Sequence, residues 1–454
     1  MGDAEDIIYD KEIENEFEVF KKGEDVVDFR TVSWQKASII FLKVIFATGV
    51  LSIPTAMFSL GAVGGGFSVI GWGLLNTYTA IVQGNFRNRH AGCHSIADMA
   101  NVLGGKVLRE VVGLLFIVAY VLCTGSGILG VSIALNVFST HGACTVWFTF
   151  VATVIVVLAA SVRKFHQIGW LTYAGFFSIY AAVFIVVIAV TTRTRPATAP
   201  PTGDYDLGWF AVPPSTTFVD GMTATATIFV SSAGTSAFLP VISEMRNPKE
   251  YNKAVYWCMA LVQASYLTFA LVVYRWCGQY VANPSIGSAG HTVKIVSYAI
   301  GLVGLIVSAC LYLHVASKYV FVRILRDSRH LQHNTVIHWA TWLGTVIGLA
   351  AVAFIICEAV PIFSFLIALT GSVCFAPMAI CLPAWLWLYD HWDYWKGNVL
   401  FKAYWLMHWG MIALGLFILG GGTYGVVQQI IDAYASGLIG GAFDCADNSG
   451  SVGT

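Results

Sequence analysis

Two short stretches of this 454-residue chain place small and hydroxyl residues where a plain apolar run would suit a membrane better. The first is Ala47-Thr48-Gly49-Val50, with Pro54 downstream. The second is Ser231-Ser232-Ala233-Gly234-Thr235, with Pro240 downstream. Glycine has no Cβ to hold a helix and proline has no N–H to give, so each pattern predicts an interrupted helix. At an interruption the N–H groups of one half-helix and the C=O groups of the other lose their partners. In hydrocarbon such groups are costly, and a break survives only where it lines a cavity or is buried in protein. Free N–H ends attract a carboxylate, and free C=O ends attract an ammonium. The chemistry on offer is binding of an α-amino acid zwitterion without any charged side chain. The competing reading is two ordinary membrane kinks whose Ser and Thr hydroxyls bond back to their own helices.

Ionisable residues near these stretches are candidates for coupling and gating. Lys43 lies ~13 Å along a helix from Trp34, deep for an interfacial lysine. An ionisable group at that depth is a functional candidate by default. Two readings stand: it neutralises dipoles or replaces a sodium ion at the break, or it snorkels to water. Glu244, beside Arg246, is read either as an inner gate paired with a basic residue of another loop or as a solvated helix-end charge. His314 has the range for proton transfer, and packing is the alternative. Glu358 and Asp220 are read as solvated charges near the outer surface.

The elements that must position these residues are membrane helices. The chain is 57% hydrophobic and 11% charged, with a mean hydropathy of +0.72. A soluble chain would be about 25% charged. Residues 1–30 are polar and charged and predict a mobile tail, with a short interfacial helix near Phe17–Phe20. Apolar runs of spanning length follow at 34–60, 63–86, 108–138, 145–162, 168–192, 217–245, 253–277, 293–325, 336–356, 362–388 and 403–434. A short helix is expected at 95–103, and residues 193–215 form the longest loop. The domain is thus 31–434, all-α and polytopic, with eleven transmembrane helices and a tail at 435–454. Most of the 25 lysines and arginines fall in the N-terminal tail and the even-numbered loops; Arg193, Arg195, Arg275 and Lys294 fall on the opposite side. That bias places the N-terminus in the cytoplasm and the C-terminus outside.

The breaks fall in the first and sixth helices, which run antiparallel. Paired interrupted helices in two inverted halves point to a transporter's substrate site. Phe41-Leu42-Lys43 with Ala47-Thr48-Gly49-Val50-Leu51-Ser52-Ile53-Pro54 resembles the first-helix signature of the amino acid/auxin permease family, within the amino acid–polyamine–organocation superfamily. Glu244-Met245-Arg246-Asn247-Pro248 is similar to that family's Glu-Met-x-x-Pro ending. Glu358-Ala359-Val360-Pro361-Ile362-Phe363-Ser364, Gly422-Thr423-Tyr424-Gly425 and Cys445 look like segments of the fungal neutral amino acid permeases of the methyltryptophan-resistance type. The resemblance implies a five-plus-five inverted repeat with broken helices 1 and 6. It also implies ion-coupled amino acid uptake, by proton symport in this fungal branch.

The expected partners are therefore a neutral amino acid, protons and the lipid bilayer. No nucleic-acid patch, cofactor loop, metal-ligand spacing or nucleophile–base pair appears, so no cofactor and no enzyme activity are expected. A vacuolar exporter of the same fold and an amino acid sensor are the alternatives; the plasma membrane is preferred. Cys144 and Cys445 both fall outside in this topology, where an oxidising medium allows a disulfide.

Overall fold

The computed structural model describes residues 31–90, 92–162, 165–326, 328–331, 333–437 and 441–450. The expected tail helix near Phe17–Phe20 lies outside the described residues. Among these, ten helical segments are long and apolar enough to cross a membrane, and a shorter apolar helix, Thr145–Ala160, makes eleven. That helix is shorter than its apolar run, because Ser161 ends it with its N–H on the Val157 carbonyl.

In chain order the helices are α1 (Trp34–Ile45 and 53–60), α2 (62–89), α3 (106–139), α4 (Thr145–Ala160), α5 (Phe165–Thr192) and α6 (Phe218–Ala233 and Phe238–Ile242). Then come α7 (Tyr251–Cys277), α8 (His291–Leu325), α9 (Val336–Ala359), α10 (Phe363–Asp390) and α11 (Val399–Ala435). Gly61, at φ 73°, makes the turn between α1 and α2 that an L side chain would resist. The loop before α6 covers this turn, with Ala62 and Val63 donating to the Phe210 and Ala211 carbonyls. A short helix at 96–103 starts on a capping box between Ser95 and Asp98 and ends at Gly104 and Gly105.

The architecture is the five-plus-five inverted repeat of a polytopic all-α membrane protein. The repeat mates α2 and α7 pack together, as do α3 and α8, while the breaks of α1 and α6 cross at the centre. Over its spanning stretch α6 is 83% buried, and α11 only 33%. Buried position therefore separates the site-bearing helix from the peripheral one.

Both prolines need a correction as marks of the breaks. The chain leaves the helix over Phe46–Thr48 and forms a 3₁₀ turn over Gly49–Leu51, and α6 has its 3₁₀ turn over Gly234–Ala237. Pro54 and Pro240 instead fall in the first turn of the second half-helices. The missing proline N–H is an orphan there in any case, so proline starts the new half rather than ending the old one.

Candidate functional site

The two breaks touch. A Cβ on Gly49 would stand 2.9 Å from the Ser231 Cα, so glycine is required for the crossing. The Ser231 hydroxyl donates to the Gly49 carbonyl at 3.2 Å and to the Thr227 carbonyl at 2.8 Å. It therefore bonds back to its own helix and across the break at once. Among the described residues the N–H groups of Thr48, Gly49 and Val50 meet no backbone or side-chain acceptor.

The freed carbonyls are held by tyrosines that the sequence did not single out. Tyr266 of α7 reaches the carbonyls of Ile45 (2.7 Å) and Ser231 (3.1 Å), one from each break. Tyr312 of α8 donates to the Val44 carbonyl at 3.1 Å, and Tyr120 of α3 to that of Gly234 at 3.1 Å. Asn76 of α2 donates to the Ser232 hydroxyl (2.8 Å) and the Phe229 carbonyl (3.3 Å). A tyrosine in an apolar run carries no local signal of this role, because its partner lies far along the chain.

Between the breaks is a cavity of about 30 Å³, room for one or two waters. Thr48, Gly49, Ser231 and Gly234 line it, together with Tyr120, Ser126, Tyr312 and Thr370 as polar groups and Val230, Ile367 and Phe375 as apolar ones. No charged side chain is among them. Ala47, Val50, Ser232, Ala233 and Thr235 are buried behind this surface and do not line it. Thr370 and Phe375 belong to a π-helical stretch of α10, Thr370–Cys381, built around Pro377. Such widened turns recur at functional sites.

Lys43 does not snorkel. Its side chain is fully buried, and Nζ donates to the Ser308 hydroxyl of α8 at 2.6 Å. A Cβ on Gly175 of α5 would lie 3.1 Å from its Cε. The ammonium thus fills the space between α1, α5 and α8, with no carboxylate within 4 Å among the described residues.

The cavity is closed towards the face that carries the N-terminus and most of the basic residues. Phe41 stacks on Phe238 at 4.0 Å, joining α1 to α6. Val32 pairs with Met245 as a β-bridge, its N–H on the Glu244 carbonyl at 2.9 Å. Glu244 is buried and forms an ion pair with Lys318 of α8, not with a loop residue. His94 Nδ1 and the Ser243 hydroxyl are 3.0 Å apart, and Arg326 pairs with Asp98 at 2.6 Å. Burial pushes His94 down to about 3, and Lys318, Arg326 and Arg87 add to this against Asp98. Towards the opposite face, Gly130 of α3 lets Leu305 and Phe363 close in; its Cβ would meet them at 3.4 and 3.7 Å.

Two other expectations change. His314 is not part of the site: it stands edge-on to Trp342 at 5.1 Å and against the backbone of Ala160 and Val162. Glu358 is not a solvated charge, being 5% exposed. Asp220 stays partly exposed at the start of α6: its N–H donates to the N-cap Thr217 hydroxyl, and its carboxylate accepts from that hydroxyl and from Gln429 at 2.8 Å. Cys144 and Cys445 are joined as a disulfide.

Comparison with known proteins places this arrangement. A "Transmembrane transporter" of Gibberella moniliformis is 48% identical over 436 residues, covering 96% of this chain and 92% of the relative. The "N amino acid transport system protein" of Neurospora crassa is 28% identical over 423 residues, covering 92% and 89%. A solved Na⁺-coupled sialic acid symporter, in a substrate-bound outward-open state, shares the fold. Its TM-score is 0.54 at 12% identity, covering 91% of this chain and 94% of that one. The family model for transmembrane amino acid transporter proteins matches residues 30–428, so the chain belongs to that family.

Proposed function

We propose that this chain moves neutral aliphatic or aromatic amino acids together with protons, by alternating access around the α1 and α6 breaks. One observation carries the reading. The cavity at the crossing offers hydroxyls, break backbone and apolar side chains but no charge. A zwitterion supplies both its own charges, and the free N–H groups of Thr48–Val50 favour its carboxylate. Val230, Ile367 and Phe375 favour an apolar side chain, and a fixed substrate charge would be left unpaired there.

Lys43 is the coupling group in this reading. A permanent or protonated cation at that place keeps sodium out, and its proton can leave where the ion could not. When charged it ties α1 to α8 through Ser308; when neutral that bond loses its charge assistance. Glu244 and Lys318 serve as the inner gate, broken when α6 swings from α8. The basic bias supports a cytoplasmic N-terminus. The Cys144–Cys445 disulfide supports an oxidising exterior at the opposite face, and so the plasma membrane.

The test is uptake of labelled L-leucine and L-phenylalanine into proteoliposomes of the purified protein. An acid exterior should drive accumulation, a protonophore should collapse it, and sodium should change nothing. A sodium requirement at fixed pH overturns the coupling. Binding without uptake under any gradient overturns transport itself.

A further inference from the structure

A second cavity lies outward of the central one, near the face opposite the basic residues. It has a volume of about 350 Å³, within the range that holds small ligands. Leu129 and Ile133 of α3, Phe363 of α10, Asn283 and Glu358 line it, and the tail forms its roof, adding the carboxylates of Asp444 and Asp447. The two cavities share helices. Ser126 and Ile367 line the central one. Ile133 is two turns beyond Ser126 along α3, and Phe363 one turn before Ile367 on α10, which places the chamber ~6–10 Å further out. Between the two levels Leu305 and Phe363 lie beside Gly130, from whose Cβ they would stand 3.4 and 3.7 Å.

The roof is fastened on several sides. The disulfide ties it to the start of α4. Thr145 donates to the Ala446 carbonyl at 2.7 Å, and Asn136 to Asn448 at 2.8 Å. Lys294 donates to the Ser449 carbonyl at 2.6 Å, and the Phe443 N–H meets the Glu358 carbonyl at 3.4 Å. Ordering this stretch of polar tail costs conformational entropy, which these bonds offset.

Glu358 is the chemical reason to look here. It is 5% exposed, lines the chamber, and has no cationic partner within 4 Å among the described residues. Thr149 is the neutral group beside it, its hydroxyl donating to the Thr145 carbonyl at 3.1 Å. A carboxylate withdrawn from water without a cation is costly, and an ammonium entering the chamber would relieve that cost. The apolar wall of Leu129, Ile133 and Phe363 suits the side chain of the same molecule.

We propose that the chamber is an outer station for the amino acid. There Glu358 receives the ammonium before the way past Leu305 and Phe363 opens to the central cavity. The inference rests on the amino acid reading above. Equilibrium binding of tritiated L-leucine and L-phenylalanine to the purified full chain tests it, with uptake in parallel. The wild type should bind two molecules. Gly234→Leu, which fills the central cavity, should bind one. Glu358→Gln added to that variant should bind none, and Glu358→Asp, which keeps the charge, should restore it. The deaminated 2-oxo analogue of leucine should not compete at the outer station, a result that a structural role for Glu358 does not produce. In uptake, Glu358→Gln should raise KM about tenfold with the maximal rate kept. Binding of one molecule by the wild type and none by Gly234→Leu overturns the outer station while leaving transport intact. Absence of uptake by the wild type overturns the transport reading instead.

Discussion

The breaks in α1 and α6 carry the same kind of sequence, and the structure uses them differently. Gly49 is there because nothing larger fits against the Ser231 backbone. Gly234 is less confined: its Cβ would make ordinary contact with Ile45 Cδ1 at 3.4 Å and Val44 Cγ1 at 3.9 Å, and its φ of −68° suits any residue. The approach of two chains demands the first glycine and tolerates a methyl group at the second. The α1 break also has a buried cation beside it in Lys43, whereas no charged side chain lies within the α6 break. The repeat is therefore symmetric in path and asymmetric in chemistry. In the function proposed above, coupling falls to the first half and substrate space to the second.

The sharpest way to break this comparison is to add one methyl group at each glycine. Gly49→Ala forces the breaks apart, and overpacking of ~1–3 kcal/mol predicts a loss of uptake of up to ~100-fold with the protein still in the membrane. Gly234→Ala should leave uptake within about twofold, because a contact of 3.4 Å is ordinary. Gly234→Leu should abolish it by filling the cavity. Uptake rates normalised to surface protein decide this. Equal tolerance of alanine at both positions would remove the distinction.

Lys43 tests the chemical half of the difference. Lys43→Met keeps length and apolar stem but removes the charge. It should end accumulation driven by a pH gradient while substrate exchange across the membrane continues. Ser308→Ala takes away the one hydrogen bond seen for the ammonium. A bond to a charged group contributes ~1.5–3 kcal/mol, so coupling should weaken ~10–100-fold without vanishing. Proton flux measured alongside leucine uptake separates the two variants. Intact concentrating uptake by Lys43→Met would show that the cation is structural.

Much of this was legible beforehand, for physical reasons that also mark where legibility ends. Small residues and a proline inside an apolar run are a local anomaly, so Thr48, Gly49, Ser231 and Gly234 are visible without a fold. Hydropathy gives the spans because the bilayer sets their length. The breaks sit earlier than the prolines because proline suits a helix start as well as it hinders a helix interior. Glu358 looks solvated because it sits at the end of α9; the tail that covers it returns from the far end of the chain. His314 suits proton transfer by type, yet its neighbours are Trp342 and the end of α4. Tyr120, Tyr266 and Tyr312 are silent in sequence, since a tyrosine in a membrane helix reads as packing until its hydroxyl finds a carbonyl.

Those tyrosines sharpen the comparison further. Tyr266 holds a carbonyl of each break, so Tyr266→Phe orphans that of Ser231 and leaves that of Ile45 with the Ala47 N–H alone. At ~1–3 kcal/mol for a buried group left unsatisfied, substrate affinity should fall about tenfold or more. Tyr312→Phe frees the Val44 carbonyl alone and should cost less. Competition binding against labelled leucine ranks them, and a larger effect at Tyr312 would mean that the α1 break bears the load by itself.

The smallest expected effect lies at the closed basic face. His94 is held neutral, pushed from 6.5 down to about 3, chiefly by burial. A depressed pKa in the folded state means that its contribution is complete above 6.5 and is lost as pH falls towards 3. Protonation therefore favours any arrangement in which His94 leaves Ser243 for water, which is what opening this face requires. Between pH 7.5 and 5.5 the wild type should lose about 2 °C more in Tm than His94→Gln, which cannot titrate. The same acid step should speed substrate release on this face in the wild type and leave the variant unchanged. An identical pH response in both would show that His94 is not the proton-sensitive element of this face.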